Sequence, residues 1–164
     1  MLDLAAKQAG WGRALARGRG LGVSMQSVFG SYMAHVAEVE VSSEGEVRVR
    51  RVVCAVDCGT VVNPDTVEAQ VQSAVIFGIG AALYGEITLK DGRVQQSNFH
   101  NHRVLRMNEA PAIEVHIVRN SESPGGMGEP GTSAIVPAIV NAVFAATGKR
   151  LRKLPIDAGA LKRA

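Results

Sequence analysis

Residues 36–56 read VAEVEVSSEGEVRVRRVVCAV and contain the clearest structural pattern in the chain. Apolar and polar residues alternate over 36–41, and valines recur through 46–56, as expected for two β-strands. Ser42-Ser43-Glu44-Gly45 between them is typical of a turn, so the stretch predicts a β-hairpin. The unbroken apolar run at 52–56 indicates that the second strand is buried on both faces.

A long helix is predicted after this hairpin. Asn63 can cap its first turn, and Pro64 suits the first helical position because no intrahelical N–H bond is needed there. The pattern extends to about Tyr84, with Gly80 in a thin second half that predicts a closely packed neighbour. Gln70 lies at the edge of the apolar stripe and is predicted to be half-buried. The stripe consists of Val67, Val71, Ala74, Val75, Gly78 and Ala82.

The remaining pattern completes an α+β fold. We predict a mostly antiparallel sheet built from two hairpins plus a further strand, with two main helices packed on it. The chain is interpreted as a single domain, 1–164, in which 1–24 and 156–164 are peripheral. The other predicted segments are a helix at 3–9, an irregular basic loop at 17–22, a strand at 32–41, a hairpin with its turn at Asp91-Gly92, a strand at 113–118, a helix that begins between Ser133 and Pro137 and ends at Gly148, and a frayed tail after Pro155.

Composition narrows the class of protein. The chain has 164 residues, of which 46% are hydrophobic and only 4% aromatic, so it is globular with a core of aliphatic side chains. The net charge of +3 is small, and its basic residues are not interleaved with aromatics, so no nucleic-acid partner is predicted. The N-terminus lacks a signal peptide, and no apolar run is judged long enough for a membrane span, which predicts a cytoplasmic protein without a membrane partner.

Cysteine and histidine do not predict a metal site. Cys54 and Cys58 lie four residues apart on a strand and therefore face the same side. Two thiols are too few for an iron–sulfur cluster, and a zinc site would need two more ligands, so both are predicted to be buried free thiols. His100 and His102 lack a third ligand and are interpreted as surface or interface residues.

The segment with the most distinctive chemistry is Gly125-Gly126-Met127-Gly128-Glu129-Pro130-Gly131. It holds a single carboxylate in a glycine-rich loop before an apolar helix, where free N–H groups and the helix dipole favour anions. A backbone with so few side chains lets a large flat ligand come close. Glu129 is therefore a candidate general base, and the alternative is an ordinary surface acid on a glycine-rich turn.

Several motifs, taken together and in order, resemble the molybdenum-binding subunit of the xanthine dehydrogenase and aldehyde oxidase family. They are DCG at 57–59, NP at 63–64 with Gln70, FGIGAALY at 77–84, GMGEP at 126–130, and the PA and NA pairs at 137–138 and 141–142. Segments within 98–115 and 144–150 look most similar to isoquinoline 1-oxidoreductase-type β subunits. The resemblance covers about residues 10–155, and it is to the C-terminal portion of that subunit.

This resemblance implies a molybdopterin cofactor, in the cytosine dinucleotide form, held together with the missing part of the subunit. Glu129 would be the active-site base in the hydroxylation of an N-heterocycle or an aldehyde, with oxygen taken from water. The implied cofactor contacts are Gln70, Gly128, Gly126, Asn63 and Gly59. A helix cap and a turn explain Asn63 and Gly59 equally well.

The same resemblance implies partners. These are the remainder of the molybdenum subunit, an iron–sulfur subunit and a small-molecule substrate. Two alternatives stay open: an orphan truncated fragment without cofactor or activity, and a non-catalytic assembly or binding module. Apolar surface left uncovered by the missing domains predicts that the isolated chain self-associates.

Overall fold

The computed structural model describes residues 1–162, and its centre is a four-stranded sheet. The strands are β1 (Arg19–Val28), β2 (Ser31–Val41), β3 (Val47–Asp57) and β6 (Ala112–Ile117). Strands β1, β2 and β3 form an antiparallel meander, and β6 pairs with β3 in parallel. The other elements are α1 (Leu2–Ala9), α2 (Pro64–Leu83), the short β4 (Leu89–Lys90) and β5 (Arg93–Val94), α3 (Pro130–Thr147) and α4 (Ala158–Leu161). The α+β class is therefore confirmed.

The sheet is covered on both faces, as the apolar run in β3 predicts. Met33, Cys54 and Val56 belong to the larger core, under α2 and α3. Ala34 and Val53 belong to a smaller core on the opposite face, which α1 covers. Burial on both faces explains why β3 needs consecutive apolar residues.

The predicted irregular loop at 17–22 is wrong from Arg19 onward, because β1 begins there. The glycines of this segment allow α3 to pack closely against β1. An added Cβ at Gly22 would lie 2.1 Å from the carbonyl oxygen of Ala138, and one at Gly20 would lie 2.3 Å from that of Ala142. The helix thus crosses the strand at a separation that only glycine allows, and residues 19–24, predicted to be peripheral, are part of the sheet.

Helix α2 begins where the sequence predicts. The side-chain oxygen of Asn63 accepts a hydrogen bond from the backbone N–H of Thr66 at 3.2 Å, and Pro64 is the first helical residue. The predicted stripe faces inward: Val71, Ala74, Val75, Gly78 and Ala82 are buried. Helix α2 packs on α3, and α3 lies on β1 and β2.

Helix α3 begins earlier than predicted. It starts at Pro130, directly after the glycine-rich loop, and Pro137 lies inside it. Either proline suits a first turn, and Thr132 and Ser133 between them read equally well as cap or helix. The predicted end is confirmed, since the helix stops at Thr147 and Gly148 has a left-handed φ of 73°.

The hairpin predicted at Asp91-Gly92 exists but stands apart from the central sheet. Its strands β4 and β5 are two residues long each and form a sheet of their own. In the central sheet, the predicted hairpin at 32–56 is confirmed as β2–β3. The second hairpin of that sheet is β1–β2, which is a correction to the predicted arrangement. The segment around this separate hairpin, residues 87–99, has several exposed apolar side chains: Ile87, Leu89, Val94 and Phe99.

The tail does not fray over residues 156–162, contrary to prediction. The backbone N–H of Ile156 donates to the carbonyl oxygen of Ala82 at 2.8 Å. Leu161 of α4 is fully buried in the larger core. This part of the tail therefore closes the core and is not peripheral, while residues 163 and 164 lie outside the described residues.

Two helices correct the prediction that no apolar run is long enough for a membrane span. By length and composition alone, α2 and α3 are each long and apolar enough to cross a membrane. In this fold they pack against each other, and α3 covers the sheet. A core helix of a soluble domain passes the same test of length and apolarity.

Candidate active site

The glycine-rich loop at 125–131 is held on two sides by the sheet. The backbone N–H of Gly125 donates to the carbonyl oxygen of Cys58, just after β3, at 2.9 Å. The N–H of Gly126 donates to the carbonyl oxygen of Phe29, in the β1–β2 turn, at 2.8 Å. The hydroxyl of Ser31, which is fully buried, donates to the carbonyl oxygen of Gly126 at 2.9 Å. The loop is thus fixed before it reaches Glu129.

These contacts give the first two glycines a structural role. An added Cβ at Gly125 would lie 2.4 Å from the Ser31 hydroxyl oxygen, and one at Gly126 would lie 3.0 Å from Cβ of Phe29. Both backbone hydrogen-bonding groups of Gly126, a predicted cofactor contact, are already engaged within the protein. A cofactor contact at Gly126 is therefore best made by packing against its backbone, because its N–H is already used and its carbonyl oxygen already accepts one hydrogen bond.

Gly128 and Glu129 are the open part of the loop. An added Cβ at Gly128 would meet no atom of residues 1–162 within 4 Å, so the described chain leaves the backbone there open. Glu129 is exposed and precedes the first residue of α3, and its side chain forms no capping hydrogen bond. The carboxylate stands at the positive end of an 18-residue helix, and none of the described residues forms a hydrogen bond or ion pair with its oxygens.

The start of α3 is anchored on α2, close to Gln70. An added Cβ at Gly131 would lie 2.8 Å from Cβ of Ala74, and the hydroxyl of Thr132 donates to the carbonyl oxygen of Ala74 at 3.2 Å. Ala74 lies one helical turn after Gln70. The structure therefore brings Glu129 and Gln70 to the same helix junction.

Gln70 itself is exposed, so its predicted half-burial is wrong. Helix α3 covers the face of Val71 and Ala74, and the neighbouring face of α2 with Gln70 and Phe77 is left open. Within residues 1–162 the Gln70 amide has no hydrogen-bond partner. It is available to a ligand at the junction.

Asn63 and Gly59 have clear structural roles. The Asn63 oxygen caps α2, which leaves its amide N–H₂ group exposed. Gly59 has a φ of +72°, and an added Cβ would lie 2.2 Å from the carbonyl oxygen of Ser123. Its N–H donates to the Asp57 carboxylate at 3.2 Å. The turn accounts for Gly59, whereas the free half of the Asn63 amide can still contact a ligand.

The two cysteines have the structural role predicted for them. Cys54 and Cys58 are both buried free thiols in the same core, and burial raises the pKa of each. His100 is exposed and His102 is half-buried. Over the described range, no group of three His, Cys, Asp or Glu side chains could hold a metal ion.

Sequence reasoning missed the residues that support the loop. Ser31 lies 95 residues from Gly126, and Thr132 lies 58 residues from Ala74. Both are small hydroxyl residues in otherwise ordinary segments. The sequence carries no local signal for either contact, because each depends on how the helices pack.

Comparison with known proteins identifies the class. A family described as a molybdopterin cofactor-binding domain matches residues 6–111, which is more than half of the chain. The chain belongs to this family, within the molybdenum-binding subunits of the xanthine dehydrogenase and aldehyde oxidase oxidoreductases, as predicted. The matched range includes Gln70 and stops before Glu129.

Individual relatives agree with this assignment. The chain is 39% identical to the isoquinoline 1-oxidoreductase subunit β of Brevundimonas diminuta over 85% of its length and 18% of the relative's. It is 36% identical to the aldehyde oxidoreductase molybdenum-binding subunit PaoC of Escherichia coli K12, over 77% of this chain and 18% of that one. The aldehyde oxidoreductase structure from Desulfovibrio desulfuricans ATCC 27774 superposes with a TM-score of 0.70 and 28% identity, over 80% of this chain and 15% of the other. The chain thus spans less than a fifth of the length of these relatives.

Proposed function

We propose that the chain forms the C-terminal part of the cofactor site of a molybdenum hydroxylase that oxidises an N-heterocycle or an aldehyde. The proposal rests on one observation above all. Glu129 is exposed at the N-terminus of α3, on a loop that Ser31, Phe29 and Cys58 hold in place. The heterocycle and aldehyde oxidoreductases among the relatives support the substrate classes.

The residues at the junction fit a large flat cofactor. Gly128 offers bare backbone with no atom within 4 Å of an added Cβ, and the Gln70 amide has no partner within the described chain. An amide can donate to and accept from a pterin edge, and glycine lets the ring system approach the backbone. Gln70 and Gly128 are therefore our assigned cofactor contacts, with Gly126 as a packing surface and the free amide of Asn63 as a further donor.

The molybdopterin group, here proposed as the cytosine dinucleotide form, supplies the two-electron redox centre. In the overall reaction a C–H group and water give a C–OH group, two protons and two electrons. Glu129 accepts one of these protons at a carboxylate oxygen, as a general base. The two electrons would pass to an iron–sulfur partner subunit, and the two cysteines of this chain are fewer than the four thiolates that a cluster takes.

Apart from the water that is consumed, bulk solvent has to be kept away from the reacting groups, and the present chain does not do this. Glu129, Gly128 and Gln70 are all exposed. A cover over the junction has to come from the remainder of the molybdenum subunit, since a closed site strengthens electrostatic interactions inside it. We assign activity to the assembled enzyme and not to the isolated chain.

The test uses the chain co-expressed with the polypeptide that carries the remainder of the molybdenum subunit. Glu129→Gln should keep molybdenum and pterin at wild-type levels, because the shape is unchanged, and lose turnover by orders of magnitude. Glu122→Gln is the matched control, since Glu122 is an exposed acid in the same connection before α3, and it should retain activity. If Glu129→Gln turns over within a few fold of the wild-type rate, the assignment of Glu129 as the general base is wrong. Wild-type complex without molybdenum or pterin would contradict the cofactor site and favour an assembly module.

A further inference from the structure

A cleft of about 570 Å³ lies at the opposite end of α2 from Gln70. Its walls are the first half of β3, the last turn of α2 and the loop at 103–109. Leu83 in the cleft and Gln70 at the junction are separated along α2 by roughly 20 Å of helix. The cleft is therefore separate from the cofactor site.

One wall of the cleft is a strand edge that no other strand of the described residues pairs with. Strand β6 pairs with β3 only from Arg51 onward, so on that side residues 47–50 face the cleft. On the other side, β3 pairs with β2 from Val47 to Asp57, with a register shift between Glu38 and Val39 that leaves Arg50 without a partner in the described register. A short stretch of strand within a sheet is thus left with one partner, and such edges are templates for a further strand.

The hydrogen-bond pattern shows which backbone groups face the cleft. The N–H of Val41 donates to the carbonyl oxygen of Gly18, so the backbone groups of Val41 point away from β3. Val41 lies opposite Val47, which makes this a non-hydrogen-bonded pair. The N–H and C=O groups of Val47, and of Val49 two residues later, therefore point away from β2 and into the cleft.

We propose that this cleft binds an extended peptide that adds a strand to β3 at residues 47–50. Main-chain hydrogen bonds to Val47 and Val49 would hold it, as in other cases of strand addition. The adjoining core surface is apolar, with Leu83, Leu105 and Ile156 packed beside these valines. Alternate side chains of the peptide are therefore apolar.

The charges in the cleft are largely paired within the protein. Arg103 binds Glu109 at 2.6 Å, and Arg50 binds Glu40 at 2.8 Å. The peptide thus needs small polar side chains, without net charge, at the positions between its apolar ones. Its source is a segment of the molybdenum subunit outside this chain, because the relatives have more than four-fifths of their length outside the matched region. This inference goes beyond the cofactor site and does not depend on Glu129.

The probe is the peptide acetyl-Thr-Val-Thr-Val-Thr-amide at millimolar concentration, added to the 164-residue chain. We expect amide NMR shifts at 47–50 and along the cleft walls, and slower hydrogen exchange at Val47 and Val49. The same peptide with N-methylated valines is the control, because it keeps the side chains and loses the backbone donors. Its binding should be weaker by about tenfold or more.

Variants of the chain give an independent check. Leu105→Glu places a charge in the cleft and should abolish the shifts, whereas Val104→Glu, at a position 37% exposed and outside the cleft lining, should leave them unchanged. Val47→Pro removes one outward donor without loss of a bond to β2 and should also weaken binding. Absence of shifts at 47–50, equal binding of the N-methylated peptide, or protection of these amides by self-association of the chain would each overturn the proposal.

Discussion

An added Cβ at Gly78 of α2 would lie 2.3 Å from Cγ2 of Ile135 in α3. It would also lie 2.8 Å from the carbonyl oxygen of Thr132. The two helices thus cross at Gly78 almost in backbone contact. At Gly80, two residues further on, an added Cβ would be 3.7 Å from the backbone nitrogen of Leu105, an ordinary contact.

This difference predicts opposite effects for two similar substitutions. Gly78→Ala should lower the free energy of unfolding by about 1–3 kcal/mol, because α3 must shift to admit the methyl group. Gly80→Ala should raise it by up to about 1 kcal/mol, because alanine favours the helix and meets no obstacle. Urea denaturation of the two variants provides the measurement, with each serving as the control for the other. Equal effects would show that the helices do not cross at Gly78.

His35 predicts acid sensitivity of the fold. It is fully buried on β2, neither ring nitrogen has a hydrogen-bond partner within the described chain, and burial lowers its pKa from 6.5 to about 4. Between these pH values the unfolded state binds the proton that the folded state excludes. The free energy of unfolding should therefore decrease as pH falls from 6.5 towards 4, by up to about 1.4 kcal/mol per pH unit from this residue.

The variant His35→Leu should remove that slope, since leucine cannot take up a proton in either state. Its stability near pH 7 should be equal to or greater than that of the wild type, because two unpartnered polar atoms leave the core. His100→Gln, at an exposed position, is the control and should keep the wild-type pH dependence. An unchanged slope in His35→Leu would locate the acid sensitivity elsewhere.

Asn63 permits its two roles to be separated. Asn63→Asp keeps the oxygen that caps Thr66 and removes the amide donor, whereas Asn63→Ala removes both. The alanine variant should lose about 1 kcal/mol of stability, and the aspartate variant should lose little. In the assembled enzyme, a lower pterin content for Asn63→Asp would demonstrate a cofactor contact. Full pterin content with wild-type stability would leave Asn63 as a cap alone.

The buried tail gives a further prediction. Leu161→Ala should cost about 2–5 kcal/mol in the free energy of unfolding, because a fully buried side chain leaves a cavity in the main core. Leu154→Ala is the matched control at a position 43% exposed, and its effect should be small. Denaturant titration of both variants decides the matter, and a neutral Leu161→Ala would mean that α4 is not docked in solution.

Local signals in the sequence were sufficient for most elements. Asn63-Pro64 marks the start of α2 because the cap and the first helical position each have a residue preference that does not depend on tertiary contacts. Strand β1 was missed for the opposite reason. Gly20 and Gly22 weaken a strand in isolation, and their value appears only where α3 crosses the strand.

The candidate site likewise contains one feature that local sequence predicts and others that depend on tertiary packing. The position of Glu129 before an apolar helix follows from local composition, and the structure places it at the N-terminus of α3. The exposure of Gln70 could not be predicted, because it depends on which face of α2 the second helix covers. The role of Ser31 could not be predicted either, because its contact with Gly126 joins distant parts of the chain.

The anchoring of Gly125 and Gly126 has a consequence for the order of assembly under the proposed function. The backbone around Glu129 is already in position when the chain folds, so the proposed cofactor would not have to organise it. Late loading into a folded protein would then require only an open entrance. The component that closes this entrance would determine when the assembled enzyme becomes competent.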